Sequence, residues 1–342
     1  QFLPEELKFQ DGTGEYEGGS LEVQGDGPDF SGRTVVTVES DQKPENPVYW
    51  SRYMGNLYTG YSFNDEGDLD DQKNRYNIQY PKRKLAELKA MLKDGQTDIP
   101  ALLQAMKEDS RVSVQKEAAA FMRRKVREEK ERERLLSMYT YETRFYNENI
   151  YHVAGIDEAG RGPVAGPVMI AAVILPPFWE CPGLNDSKKV PPAKRERLYD
   201  KIMAEAVAVS CIAKSEKEID DLDIYHATQQ GMYDAVRTLS VPAEAVLVDA
   251  MPLPALTVTH QSLVHGDALS ASIAAASIIA KVTRDRLMEQ YDKTYPEYGF
   301  AVHKGYLTRL HKEAIETYGP CPIHRRSFEP IRTMTHFHRG DE

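Results

Sequence analysis

Apolar and polar positions divide the 342-residue chain into three textures. Residues 1 to 80 carry thin apolar content with short alternating pieces, such as "GRTVVTVES" at 32 to 40, and solvated runs such as "NDEGDLDDQKN". That pattern predicts a small β-rich or partly disordered appendage. Residues 82 to 146 read as helices. "KRKLAELKAMLK" sets Leu85, Leu88 and Leu92 on one stripe at spacings of three and four, Gly95 fits a helix stop, and Asp98 with Pro100 fits a fresh start. A third helix is predicted from about Val114 to Tyr139, its mixed charges at helical spacing marking a solvated face. From Tyr151 the period alternates. "YHVAGIDEA", "VMIAAVIL", "VAVSCIAKS", "AVLVDA" and "LTVTHQSL" read as strands, and "PPAKRERLYDKIMAEAV", "HATQQGMYDAVRTL" and "ALSASIAAASIIAKVTRDRLMEQY" as helices. Strands interleaved with helices predict an α/β domain with a largely covered sheet. The expected organisation is therefore an acidic segment over 1–80, a helical extension over 82–150 and an α/β domain over 151–338.

Charge sharpens this division. The net charge of −10 resides entirely in residues 1 to 80, which hold 16 acidic and 6 basic residues. Residues 82 to 140 instead carry 15 basic against 10 acidic side chains, so the acidic total is no argument against a nucleic-acid partner. The cluster Arg123, Arg124, Lys125 and Arg127 is a candidate for docking on such a duplex or on a partner protein. Apolar runs such as "VMIAAVIL" fall far short of the roughly 20 residues of a membrane span. Residues 1 to 30 lack the order of a secretory signal. Three widely spaced cysteines, Cys181, Cys211 and Cys321, show neither metal-ligand spacing nor a disulfide framework, and a cytoplasmic setting is expected.

Candidate chemistry lies in the carboxylates. Asp157 sits where an apolar strand meets a glycine-rich turn, Asp249 ends the strand "AVLVD", and Asp267 follows a strand-like run and opens the long helix. Acids at strand ends and helix starts of one α/β domain can converge on one edge of its sheet. Glu158 joins them only if the chain twists off its strand, because successive side chains alternate faces. Asp285 is a rival on the long helix. It stands 18 residues from Asp267, roughly 27 Å along a helix, so the two cannot share one metal site, and its neighbours Arg284 and Arg286 favour an ion pair. Clustered carboxylates without His or Cys suit Mg²⁺ or Mn²⁺. Two such ions would neutralise the acids and stabilise an in-line phosphoryl displacement. Taken singly, Asp249 is equally a turn cap and Asp267 equally an N-cap.

In this order, "GIDEAGRGPVAGPV", "NDSKKV", "VLVDA", "GDALSASIAAASIIAKVTRDR", "YPEYGFAVHKGY" and "GPCPIHRRSF" resemble bacterial ribonuclease HII over about residues 151 to 334. The helices at 82 to 150 resemble more loosely the N-terminal extension of this enzyme in some bacteria. The resemblance implies a ribonuclease H-like fold, with a central mixed sheet flanked by helices and a helical C-terminal part. It implies an endonuclease that uses Mg²⁺ or Mn²⁺, with two ions in the active complex, to cut RNA in RNA–DNA hybrids and on the 5′ side of single ribonucleotides in duplex DNA. The products would carry 5′-phosphate and 3′-hydroxyl ends, in ribonucleotide and RNA-primer removal. It assigns the metal-binding acids to Asp157, Glu158, Asp249 and Asp267.

By the same resemblance, Gly160, Arg161, Gly162 and Tyr306 read the ribose 2′-hydroxyl, the group that separates RNA from DNA at one nucleotide. Ser187 and Lys188 match a phosphate-contacting segment, Lys304 lies beside Tyr306 as a further substrate contact, and His324, Arg325 and Arg326 either support the backbone or tie down the C-terminal helices. Four positions depart from the family pattern. Ala250 stands where glycine is usual, His265 where lysine is common, and Asp223 and His226 where asparagines are expected. Arg161 argues against the related type HIII, which carries lysine there. The ribose-reading residues argue against a DNA-only resolvase, and the intact acids against a silent binding module. A monomer acting on nucleic acid, away from membranes, is expected.

Overall fold

The computed structural model describes residues 83–94 and 97–334, together with the backbone of three short strands nearer the N-terminus. These are β1 (Thr13–Tyr16), β2 (Gly19–Gln24) and β3 (Thr37–Ser40), an antiparallel meander whose last strand lies inside the alternating piece predicted at 32 to 40. The solvated run at 64 to 74 and Gly95 lie outside the described residues. Helices α1 (Leu85–Met91) and α2 (Ile99–Glu108) follow. Leu88 and Leu92 of the predicted stripe are buried, and Asp98 caps α2, its Oδ1 accepting from Ala101 N at 3.1 Å.

The chain divides into two compact units between Glu108 and Asp109. The second contains α3 (Val112–Ser137) and α4 (Thr140–Tyr146), then a five-stranded sheet with its helices. The predicted third helix thus ends two residues early, and the break turns the Met138 carbonyl toward Ala271 N, 3.0 Å away. On the exposed face of α3, Arg124 and Lys125 pair with Glu128 at 3.9 and 2.9 Å.

The strands are β4 (Val153–Ala159), β5 (Val168–Ile174), β6 (Ala208–Lys214), β7 (Ala245–Asp249) and β8 (Thr259–Leu263), in spatial order β6-β5-β4-β7-β8. β4 runs antiparallel to β5 and parallel to β7, so the sheet is mixed, as a ribonuclease H-like fold requires. Helices α5 (Pro192–Glu205), α6 (Glu216–Leu222) and α7 (Ile224–Arg237) connect the strands. A one-turn helix α8 (Gly266–Leu269) and the long α9 (Ala271–Thr294) follow β8. The C-terminal part is helical, with α10 (Phe300–His303) and α11 (Arg309–Tyr318).

Alternation along the strands makes two cores. Val153, Met169, Ala171, Val173, Ala245 and Leu247 share one with Ile273 and Ala274 of α9, whereas Ala154, Ile156, Ile170, Ala172, Val246 and Val248 face Ala227 and Met232 of α7. The run of small residues in α9 lets that helix lie directly on β4. A Cβ on Gly155 would stand 2.1 Å from the Ser272 carbonyl carbon. Since α9 is wedged against the sheet at this point, whatever fixes its first turn also fixes its position over β4.

Candidate active site

Strand parity places Asp157 and Asp249 on the α9 face, with Val153 and Leu247. Asp157 is 5% exposed, and its Oδ1 accepts from Glu158 N at 2.7 Å. Asp249 is the last residue of β7, and its Oδ1 accepts from Gly266 N at 2.8 Å. Asp267 is buried in α8 and is not the cap of the long helix, as its sequence position had suggested. Ser270 caps α9, its Oγ accepting from Ile273 N at 3.2 Å. The extra turn exists because Ser270 breaks the helical run with extended backbone and donates its N–H to Gly266 O at 2.8 Å. Asp285 is ion-paired with Lys281 at 2.7 Å and Arg195 at 3.4 Å, whereas its neighbour Arg284 is fully buried.

Glu158 follows the opposite parity, and β4 remains paired to β5 through Ala159, so the strand does not twist off at this residue. Pairing to β7 ends at Ile156, and beyond it the carboxylate still feels its neighbours. Its Oε1 lies 3.3 Å from an Arg161 guanidinium nitrogen, while its buried Oε2 has no protein hydrogen-bond donor.

The acids are electrostatically frustrated as they stand. Burial raises the Asp157 pKa well above the usual carboxylate range, and the charges of Glu158 and Asp249 raise it further. Burial also raises Glu158, with Arg161 opposing and Asp249 reinforcing. Asp267 is raised by burial, then by Asp186 and Asp249. For Lys188, burial is the largest influence and pulls downward, yet Asp157, Asp186, Asp267 and Asp249 together outweigh it and raise its pKa. Asp186 is a fifth carboxylate that the sequence reading passed over, although it lies inside the quoted "NDSKKV". It is 7% exposed and caps the short turn Ser187–Lys189, accepting from Lys188 N at 2.8 Å.

Among the described residues, no three His, Cys, Asp or Glu side chains stand at metal-holding spacing. The donor chemistry nonetheless fits a hard divalent cation. The converging groups are carboxylates without His or Cys, three are raised by burial and repulsion, and one buried oxygen lacks a partner.

The turn after β4 is shaped from beneath by two buried arginines. Gly160 has φ +102°, and a Cβ there would lie 2.1 Å from Arg284 Nε. Arg325 donates to Gly160 O at 2.6 Å, Arg161 O at 3.0 Å and Gly166 O at 2.9 Å. Arg284 donates to Ala165 O and Pro167 O at 3.0 Å and to Lys304 O at 2.8 Å. Burial, then the neighbouring Arg284, lowers the Arg325 pKa to about 9. Arg325 therefore ties down the turn, whereas the buried His324 side chain meets His311 and Cys321.

Tyr306 is 48% exposed, and its ring edge lies 3.6 Å from the position a Gly162 Cβ would take. The structure thus brings Tyr306 to the glycine–arginine turn, with the Arg161 side chain 43% exposed beside it. Ser187 is buried and bonded to Ser277 at 2.7 Å, behind the acids. Lys304 Nζ pairs with Glu289 at 2.7 Å, outside the acid cluster. Under Tyr306 lie three stacked or bonded histidines. His311 Nδ1 is 3.0 Å from Tyr306 O, and its Nε2 is 3.0 Å from His324 Nε2. His303 stacks on His311 at 4.2 Å.

Sequence comparisons converge on one family. The family model "Ribonuclease HII" matches residues 154–331, and "Ribonuclease HII N-terminal domain" matches residues 84–146. A ribonuclease HII of Bacillus cereus (strain B4264) is 47% identical over 250 residues, covering 73% of this chain and 97% of the relative. One of Bacillus cytotoxicus is also 47% identical, covering 73% of this chain and 96% of the relative. Among solved structures, ribonuclease H2 from Pyrococcus horikoshii OT3 aligns with a TM-score of 0.47 at 31% identity, over 53% of this chain and 95% of that one. The acids in their order, the glycine–arginine turn, the family models and the Bacillus relatives leave one assignment: the chain belongs to the ribonuclease HII family, the type II ribonuclease H endonucleases.

Proposed function

We propose that this enzyme cuts the RNA strand of RNA–DNA hybrids and nicks duplex DNA on the 5′ side of single embedded ribonucleotides. What supports this reading is that the charges of Glu158 and Asp249 act on Asp157, that Asp249 acts likewise on Glu158 and Asp267, and that Tyr306 lies on the turn after β4. Mg²⁺ or Mn²⁺, as a pair of ions held by these four acids, would supply charge neutralisation and an activated water for phosphodiester hydrolysis. Around that centre the chain's own groups divide the work. Lys188, positive amid the carboxylates, holds a substrate phosphate. Gly160 and Gly162 let the backbone approach the sugar, Arg161 holds Glu158 and the phosphate edge, and the Tyr306 ring packs on the ribose whose 2′-hydroxyl the turn reads. Ser187 supports the phosphate segment from behind through Ser277, and Lys304 contributes at the outer rim.

In the cell this activity would serve ribonucleotide excision and RNA-primer removal in the cytoplasm, by a monomer. Among the described residues no helix is long and apolar enough to cross a membrane. The test is a nicking assay on a DNA duplex holding one ribonucleotide, with Mg²⁺, Mn²⁺ or EDTA. Cleavage 5′ of the ribonucleotide with either metal and none in EDTA is expected. Asp249→Asn keeps an oxygen for Gly266 N, so it should fold yet lose cleavage. Cutting of all-DNA junctions with the ribonucleotide duplex left intact would reject the reading.

A further inference from the structure

A fully buried carboxylate outside the acid cluster, Glu142 on α4, is not used by the reaction as described above. It belongs to the segment matched by the N-terminal family model, yet it lies against the start of α9. Its Oε1 accepts from Ser270 Oγ at 2.6 Å and from Ser272 N at 3.0 Å.

The first four N–H groups of an α-helix have no partner within the helix. In α9 all four are met. Ser270 N, at the cap, donates to Gly266 O at 2.8 Å, Ala271 N to Met138 O at 3.0 Å, Ser272 N to Glu142, and Ile273 N to Ser270 Oγ. Two of the four partners therefore come from the N-terminal helices, and a third, Ser270 Oγ, is itself held by Glu142. A carboxylate at this position also meets the positive end of the helix dipole. Both bonds end on Oε1, so the cap does not depend on the charge of Glu142.

The same first turn leads to the site. Ser270 closes α8, which carries Asp267, and Gly266 of α8 donates to Asp249. One turn further along α9, Ser277 bonds Ser187. Other ties run from α3 and its junction with α4 to the loop that leads to Ser187. Arg134 donates to Leu184 O at 2.7 Å, Glu131 accepts from Gly183 N at 2.6 Å, and Tyr139 OH donates to Trp179 O at 2.9 Å.

We infer that Glu142 is a positioning residue of the metal site: by capping α9 and holding Ser270, it sets where Asp267 and Asp249 stand. The N-terminal helices α3 and α4 thereby form part of the catalytic body. This inference rests on the reading of Asp267 as a metal ligand, and its test separates the two. Mn²⁺ binding to the full-length protein is measured by titration calorimetry without substrate, alongside the Mn²⁺ dependence of cleavage. Loss of a residue that orients a metal ligand costs 10- to 100-fold in affinity in comparable sites, so Glu142→Ala should weaken Mn²⁺ binding by about tenfold or more. Glu142→Gln keeps an Oε1 acceptor for both donors and should stay within about threefold of wild type.

A purely structural role would lower the folded fraction but leave the affinity of the folded protein unchanged. A folded Glu142→Ala variant with wild-type affinity therefore overturns the inference. Should that variant not fold, Glu142→Asp takes its place. It keeps the charge but falls one methylene short of Ser272 N, and wild-type Mn²⁺ affinity in it overturns the inference equally. Asp267→Asn is the separate control. Unchanged Mn²⁺ binding there removes Asp267 from the ligands, whatever Glu142 does.

Discussion

The buried histidines under Tyr306 make a quantitative prediction, because their hydrogen bonds admit only one proton arrangement. The Tyr306 carbonyl can only accept, so His311 Nδ1 must carry the proton, leaving its Nε2 as an acceptor. His324 Nε2 must then donate to it, and His324 Nδ1 is free to accept from Cys321 N at 2.9 Å, which it does. His303, stacked on His311, accepts from Gly305 N and donates to Tyr298 O. Protonating His311 would set its Nε2–H against that of His324, in a site closed by Tyr298, Phe300, Tyr318 and His303. Burial accordingly lowers His311 from 6.5 to about 4, and His324 to about 3. A depressed folded-state pKa means that the unfolded chain binds more protons between the two values, so stability is full above about pH 6.5 and falls as pH drops. At pH 5 each imidazole costs about 2 kcal/mol, roughly 2.303RT times the distance from 6.5.

The raised carboxyls of Asp157, Glu158 and Asp267 act in the opposite sense, since they take up protons more readily when folded. The wild-type curve alone is therefore not diagnostic, and a difference is needed. His324→Gln keeps a side-chain N–H toward His311 but has nothing to titrate. Urea midpoints followed by circular dichroism at pH 7.5 and 5.0 should show that the variant loses about 2 kcal/mol less than wild type on acidification. With urea slopes of about 1–3 kcal/mol/M, this is roughly a 1 M difference between the two midpoint shifts. Parallel shifts in the two proteins would refute the neutral network.

Two further outcomes follow from backbone and ring geometry. Ala250 has φ +52°, a left-handed conformation that costs a non-glycine residue about 1–2 kcal/mol, while glycine loosens the unfolded chain by about 0.4–1 kcal/mol. Ala250→Gly should therefore raise stability by about 0.5–1 kcal/mol in thermal or urea unfolding, and a loss of stability would show that the turn is unstrained. Tyr306→Ala should slow nicking at a single ribonucleotide by roughly tenfold or more, the ~1–3 kcal/mol that an aromatic contact to nucleic acid carries. An unchanged rate removes Tyr306 from ribose recognition.

What the sequence made legible follows from which signals are periodic. The strands around Asp157 and Asp249 alternate cleanly, so their order and faces were readable, and the parity argument for Glu158 holds in the structure. The condition it set, a twist away from the sheet, is not met, because the opening lies on the β7 side only. The pairing of β7 with β4 stops at Val248, while that of β5 with β4 continues to Ala159. The neighbour's length leaves Glu158 unpaired on its β7 side, and nothing in "GIDEAG" encodes that length. The same limit explains Asp267. "GDALSASIAA" has unbroken helical character, yet the helix restarts at Ser270, whose cap is completed by Glu142 from 128 residues earlier in the chain.

Buried charge was the least legible feature. Arg284 and Arg325 sit in "TRDR" and "HRRS", where every local cue says surface, but each satisfies three or more bonds to loop carbonyls. Bringing a guanidinium out of water is tolerable only where such acceptors are fixed in advance. The departures at Asp223 and His226 are resolved in the same way. Asp223 caps α7 through Tyr225 N and His226 N and lies 2.7 Å from His226 Nδ1, so the two residues act together at an exposed helix start. A charged residue in this chain is thus assigned by the backbone groups it meets, and those are set by the fold as a whole and not by the local sequence.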